Sequence, residues 1–306
     1  MIIVANKIEI LKKEITVVPL GNIVEITVGL QTGDNNYYLF KENSIQGSYK
    51  NIDKRKLLSH DELENIISNK EIRTRISQRG ISKKMFNGKT TVPYDKGGSS
   101  DIESKRLSNY YSPTQFYIDW SEENVKRIKE LTIAERKKFY GDTDIKKTDG
   151  IKIASRFQNV EYYFKRGITI SIRGIYSPTF RLSSGGIFDV MGSCAFSFVL
   201  TNEYLLGILC SKLAKYITKC YLNNTVAIEI EELKKFPLAV NNNNLAKKIE
   251  IVVKKIITNQ KKDKNYDYSK EQKILDELNY ELYGLDRTII EEVEDWYDRK
   301  YPKLQT

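Results

Sequence analysis

Near residue 200 the hydrophobic period of this chain changes from two to about 3.6, so strands dominate its middle and helices its end. Residues 151–199 break into YYFKRGITISIRG, FRLSSGGIFDV and CAFSFVL, β-like segments separated by Gly, Pro and Ser. TNEYLLGILCSKLAKYITKCYL then reads as a helix capped by Thr201 or Asn202. Its apolar side is Leu205, Leu206, Leu209, Leu213, Tyr216 and Ile217. Three more helical stretches follow at about 245–261, 269–283 and 286–299, and Gly284 is placed to end the second as a C′ glycine. No βαβαβ alternation and no internal repeat interrupt this order. The expected fold is α+β: a mixed, strand-rich domain over 1–238 and a C-terminal helical segment over 239–306.

Upstream, VPLGNIVEITVGLQTGDNNYYLF (18–40) reads as strand, turn and strand. Val24, Ile26 and Val28 alternate with Glu25 and Thr27, Gly33-Asp34-Asn35 is turn material, and Tyr37 to Phe40 resume extended structure. Residues 53–79 contain a candidate helix with a basic face, and GKTTVPYDKGGSSD (88–101) reads as a long loop entered through Pro93. A helix is expected over 120–139, with Ser121 as cap, Asn124 in place of a capping-box Glu, and Val125, Ile128 and Leu131 as its apolar stripe.

Several functional classes are excluded by what is scarce. His60 is the only histidine, which removes histidine-based zinc clusters, HExxH sites and paired catalytic histidines. It lies in a charged stretch expected to be exposed. The three cysteines cannot make a disulfide scaffold or a CxxC…CxxC finger. Cys210 and Cys220, placed in one helix about 15 Å apart, cannot bridge, and Cys194 is alone. Reducing conditions and the cytoplasm are therefore expected. No apolar run approaches the roughly 20 residues of a membrane span, and no secretion signal opens the chain.

The net charge of +10 is unevenly spread. Residues 1–50 and 236–306 are each neutral, with 5 basic against 5 acidic and 13 against 13. Residues 51–150 carry 21 against 16 and residues 151–235 carry 11 against 6, so each contributes +5. A localised basic surface is the expected footprint of a polyanion ligand.

Catalytic signatures are missing. Neither GxGxxG nor GxxxxGK[ST] occurs, and neither Gly97-Gly98 nor Gly185-Gly186 precedes a helix that could hold a phosphate. A metal-dependent nuclease would need clustered carboxylates. Asp142 with Asp144, or Glu229 with Glu231 and Glu232, are the candidates, but none forms an Asp…Glu-x-Lys hairpin. The adenine-methylating Asn/Asp-Pro-Pro-Tyr/Phe motif is also absent. The chain is expected not to be an enzyme by itself.

Five tracts, in order, carry a resemblance. They are GNIVEITVGLQTGDNNYYLF (21–40); VPYDKGG (92–98) with NYYSPTQFYIDWSEENVKRIK (109–129); RFQNVEYYFKRGITISIRGIYSPTFRLSSGGIFDVMGSCAF (156–196); LLGILCSKLAKYITKCYLNNTVAIEIEELKKFPL (205–238); and YELYGLDRTIIEEVEDW (280–296). Together they resemble the target-recognition domain of TaqI-like adenine-N6 DNA methyltransferases, also found in fused restriction–modification enzymes and phage-exclusion methyltransferases. Two departures stand out: Ile170 replaces the family's Trp after Gly-Ile-Thr, and Asn223-Asn224-Thr225 replaces its Asn-Pro-Thr. The methyltransferase half is not present before residue 1. The resemblance thus implies a free-standing specificity subunit, or one cut from a longer enzyme, that binds no cofactor itself. A partner adenine-N6 methyltransferase, or methyltransferase–nuclease, would use S-adenosylmethionine and hold the flipped base.

Such a module must neutralise phosphates with Lys and Arg and read base edges with Arg, Asn or Gln. The phosphate candidates are Lys83, Lys84, Lys89, Lys96, Lys105 and Arg106; the base-contact candidates are Gln31, Asn35, Gln158, Arg173 and Arg181. Tyr162, Tyr163 and Phe164 are expected in the core. The closing helices are expected to dock a methyltransferase or a second copy, the alternative being an internal brace over the sheet. Other functional classes weighed are a metal-dependent endonuclease subunit of a phage-defence system and a protein-binding decoy.

Overall fold

The computed structural model describes residues 3–4, 7–10, 13–42, 49–97, 108–139, 155–172, 178–225, 227–240 and 243–300. The fold is α+β, with two main sheets and a C-terminal helical layer. The first sheet is antiparallel, in the order Thr179–Leu182, Ile168–Ser171, Cys194–Ser197, Val24–Thr27. Its register sets Thr169 opposite both Arg181 and Cys194, and Ala195 opposite Ile26. Period-two alternation then sends Ile26, Ile168, Ile170, Phe180 and Ala195 into one core, while Cys194 and Phe196 enter another.

The first core is completed by the helices Asn202–Leu209 and Lys212–Ile217 together with the three C-terminal helices. Thr201 caps the first of these, its Oγ1 accepting the Tyr204 N–H at 3.2 Å. The single helix expected over 201–222 is broken. Ser211 donates its hydroxyl to Ile208 O at 2.7 Å and accepts the Ala214 N–H at 3.1 Å, restarting the chain in a new direction. Helix Asn243–Lys262 packs on Asn202–Leu209 across Gly207, where a Cβ would stand 2.2 Å from Ile249 Cγ2. Ile249, Val253, Leu275, Tyr280 and Val293 share the core with the sheet, so the expected 238/239 boundary is bridged by continuous packing and the apolar faces of the closing helices are braced internally. Helix Ser269–Leu282 ends at Gly284 (φ +58°), whose neighbour Leu285 returns its N–H to Tyr280 O at 2.9 Å.

The second sheet runs Ile187–Phe188, Thr91–Asp95, Phe116–Asp119, Leu39–Lys41, Lys50–Asn51 and mixes parallel with antiparallel pairs. Pro93 does not open a loop: it lies inside a strand. The parallel neighbour Ile187–Phe188 engages only Tyr94 and Asp95, beyond the proline, so no ladder bond is lost there. The expected basic-faced helix is two helices, His60–Ser68 and Lys70–Arg79, started by a Ser59–Glu62 capping box and by Asn69 respectively. The helix Glu122–Phe139 follows the Ser121 cap, with Val125 and Ile128 buried as the stripe requires. These helices, the second sheet and the back of the first enclose Trp120, which donates Nε1–H to Ile76 O at 2.9 Å and meets Tyr163 edge-on at 5.6 Å. Tyr163 and Phe164 are buried here as the sequence suggests.

Candidate nucleic-acid interface

A polar seam joins the two sheets. Thr169, Ser171 and Arg181 alternate away from the first core, and all three are buried. Arg181, only 4 % exposed, donates Nη1–H to Ser171 Oγ at 2.8 Å and Nη2–H to the Lys96 carbonyl at 2.9 Å. Asp95 Oδ2 accepts the Ser184 N–H and hydroxyl at 2.8 and 2.9 Å. Asp189 Oδ1 accepts from Gly97 N at 3.2 Å and from Gly192 N. Burial raises Asp95 above the usual aspartate range against the opposing field of Arg181, and pushes Asp189 up to about 6. Gly97 is held so tightly that a Cβ would lie 2.2 Å from Met191 O.

This geometry corrects one base-contact candidate. With its guanidinium committed inside the seam, Arg181 presents nothing to a groove; it anchors the segment that leads out at Gly97 toward residues 98–107. Lys105, Arg106 and Arg173 lie outside the described residues.

A second assembly is exposed. The chain leaves the Val24–Thr27 strand, pairs Gln31 with Arg156 through two backbone bonds (3.1 and 2.8 Å), and turns at Gly33-Asp34. Asp34 accepts the Tyr37 N–H at 3.0 Å, so Asn35–Tyr38 close into one helical turn instead of the expected extension, which begins only at Leu39. Asn35 and Asn36 are exposed at the tip, and Asn35 Oδ1 accepts the Thr32 hydroxyl at 2.7 Å. The Arg127 guanidinium lies 4.2 Å from the Tyr37 ring centre and Lys50 Nζ 5.2 Å from it. Arg156 is exposed beside Gln31, itself half-buried. Gln158 is not at the tip: it donates its amide to Gly29 O at 2.9 Å and buttresses the loop from behind.

The phosphate candidates separate. Lys83 and Lys84 are exposed on the turn after Gly80, Lys83 being 3.9 Å from Glu123, one helical turn before Arg127. Lys89 is half-buried and paired with Glu62 at 3.0 Å. Lys96 donates to Tyr49 OH at 2.7 Å and lies over the Tyr49 and Phe116 rings. Lys89 and Lys96 flank opposite ends of Thr91–Asp95, roughly 20 Å apart at ~3.3 Å per strand residue, so these lysines make no single patch.

The basic face expected over 53–79 continues on the helix Lys70–Arg79, where it gains a neighbour the sequence did not indicate. Lys70 and Arg73 face Lys165, whose ammonium is 4.8 Å from the Tyr162 ring centre. Burial and the positive fields of Arg73 and Lys70 pull Lys165 below the usual lysine range, with Glu161 opposing. Lys70 and Lys165 are 95 positions apart in the chain. The contact of this helix with the 160–162 turn brings them together.

These surfaces carry exposed cations with the chemistry to meet an anionic polymer. No group of three or more His, Cys, Asp or Glu that could hold a metal ion occurs among the described residues, and Asp142 and Asp144 lie outside them. Glu229 and Glu232 are spent on a capping box. His60 is exposed and 4.0 Å from Glu64. Burial pushes Cys194 well up and Cys210 up to about 12, which suppresses their thiolates. No helix among the described residues is long and apolar enough to cross a membrane. No protein-family model matches the chain, and no curated protein matches it either.

Proposed function

We propose that the chain binds double-stranded DNA in a sequence-specific way and supplies target recognition to an adenine-N6 methyltransferase of a restriction–modification or phage-exclusion system. The observation that carries this reading is the exposed tip at Asn35, Asn36 and Tyr37, flanked by Arg127, Lys50 and Arg156. Carboxamides read adenine N6/N7, guanidinium groups read guanine or bind phosphate, and a short capped turn holds both in register. The charge excess over residues 51–235 and the order of the five family-like tracts support the same conclusion.

In this role the chain performs no chemistry. It positions a duplex for a partner that binds S-adenosylmethionine and flips the base, and the setting proposed for it, from cysteines not joined in disulfides, is the cytoplasm. Because the apolar faces of the closing helices are used internally, a methyltransferase or a second copy would meet the outer faces of the last two, Ser269–Leu282 and Arg287–Lys300.

The test is selection from a randomised duplex pool by the purified chain, with sequencing of the retained DNA at two salt concentrations. Recovery of one motif that persists at the higher salt is expected. Retention of DNA with no enriched motif, or no retention at all, would overturn sequence-specific readout by this chain.

A further inference from the structure

The C-terminal segment is neutral as a whole, yet its helices are not. Helix Asn243–Lys262 carries six lysines against one glutamate, net +5. The helices Ser269–Leu282 and Arg287–Lys300 together carry five basic and nine acidic residues, net −4. The six lysines occur as doublets at 247–248, 254–255 and 261–262. A spacing of seven residues drifts only ~20° around a helix, so the doublets form two nearly straight rows, with steps of about 10.5 Å and a total run of about 21 Å.

All six are exposed. Lys255 pairs with Glu271 at 2.8 Å, and Lys261 lies 5.7 Å from the Tyr111 ring centre. Lys247, Lys248, Lys254 and Lys262 have no ion-pair partner among the described residues. The opposite face (Leu245, Ile249, Val253, Ile256) is buried, so the helix cannot insert that face into a lipid surface. At its C-terminal end Gln260 donates to Asn109 O at 3.2 Å. The lysine rows therefore finish beside Asn109.

We infer that the outer face of helix Asn243–Lys262 is a sequence-independent rail for the phosphate backbone of duplex DNA; the inference rests on the DNA-binding reading above. A step of about 10.5 Å equals about three base pairs at 3.4 Å rise, so successive doublets meet backbone at regular intervals along about six base pairs. An acidic protein partner is the competing occupant, and the polyglutamate competitor below separates it from duplex.

The experiment replaces Lys247, Lys248, Lys254 and Lys262 together by Gln, and in a second variant by Arg. Affinity for random-sequence duplex is measured from 50 to 200 mM salt, with polyglutamate as competitor. At ~0.9 per phosphate contact the Gln variant should lose up to about 3.6 from the slope of log K against log salt. The Arg variant should keep the wild-type slope, and preference for any selected motif should stay within about twofold of wild type. An unchanged slope in the Gln variant, or polyglutamate competing as well as duplex of equal charge, overturns the rail while leaving target reading intact. Loss of slope in a protein that selects no motif supports the rail and overturns target reading. A wild-type chain that binds no duplex at 50 mM overturns both.

Discussion

Replacing Asp189 by Asn tests the polar seam through pH. The carboxyl accepts the Gly97 and Gly192 N–H groups, yet burial outweighs those bonds and pushes its pKa from the ordinary 3.8 up to about 6. That gap is worth about 3 kcal/mol at ~1.36 kcal/mol per unit. Because the folded value is the higher one, the contribution is present in full below about pH 3.8 and is lost as pH rises through about 6. Asn keeps an acceptor for both glycines and removes the titration. Urea unfolding of wild type and Asp189→Asn should therefore show wild type losing about 2 kcal/mol relative to the variant between about pH 4.5 and 7.5. Parallel stability curves across that range would refute the burial of this carboxyl.

Three further perturbations separate scaffold from surface. Arg181→Met should cost about 3–5 kcal/mol in unfolding experiments, because it removes a buried charge facing Asp95, and adding Asp95→Asn should recover part of the loss. An Arg181→Met protein of native stability that had lost only its motif preference would make Arg181 a base reader after all. Gly207→Ala should cost about 1–3 kcal/mol by overpacking against Ile249; a melting temperature equal to wild type would contradict the close approach of those helices. Lys70→Gln with Lys165→Gln should leave stability within about 0.5 kcal/mol and lower the salt slope of duplex binding by up to about 1.8, and an unchanged slope would remove that cluster from the interface.

Local chemistry was legible in the sequence wherever it decided the outcome. Period-two runs located Ile168–Ser171, Thr179–Leu182 and Cys194–Ser197, and the punctuation at Ser121, Thr201 and Gly284 located helix ends. What alternation cannot tell is whether the polar side of a strand faces water. Arg181 read as a base-contact residue, but a second sheet covers it together with Thr169 and Ser171 and turns a candidate reader into an anchor. Pro93 argued against a strand because local propensity carries no information about where a neighbouring strand begins. Ser211 was hidden within a continuous apolar stripe, although its hydroxyl was the available stop signal. Averaging charge over 236–306 concealed the lysine doublets, which a count per helix would have exposed. The basic face carrying Lys70 and Arg73 was legible, but nothing in the sequence tied Lys165 to it, since the turn that completes the cluster is a tertiary neighbour.

The central claim is that this chain reads base sequence by itself, and the most direct measurement is the ratio of its affinities for a selected duplex and for a scrambled duplex of identical composition at about 150 mM salt. The account predicts a ratio of at least about 10³, falling when Asn35 and Asn36 are replaced by Ala while the salt slope stays unchanged. A ratio near one, with binding governed by salt alone, would contradict it.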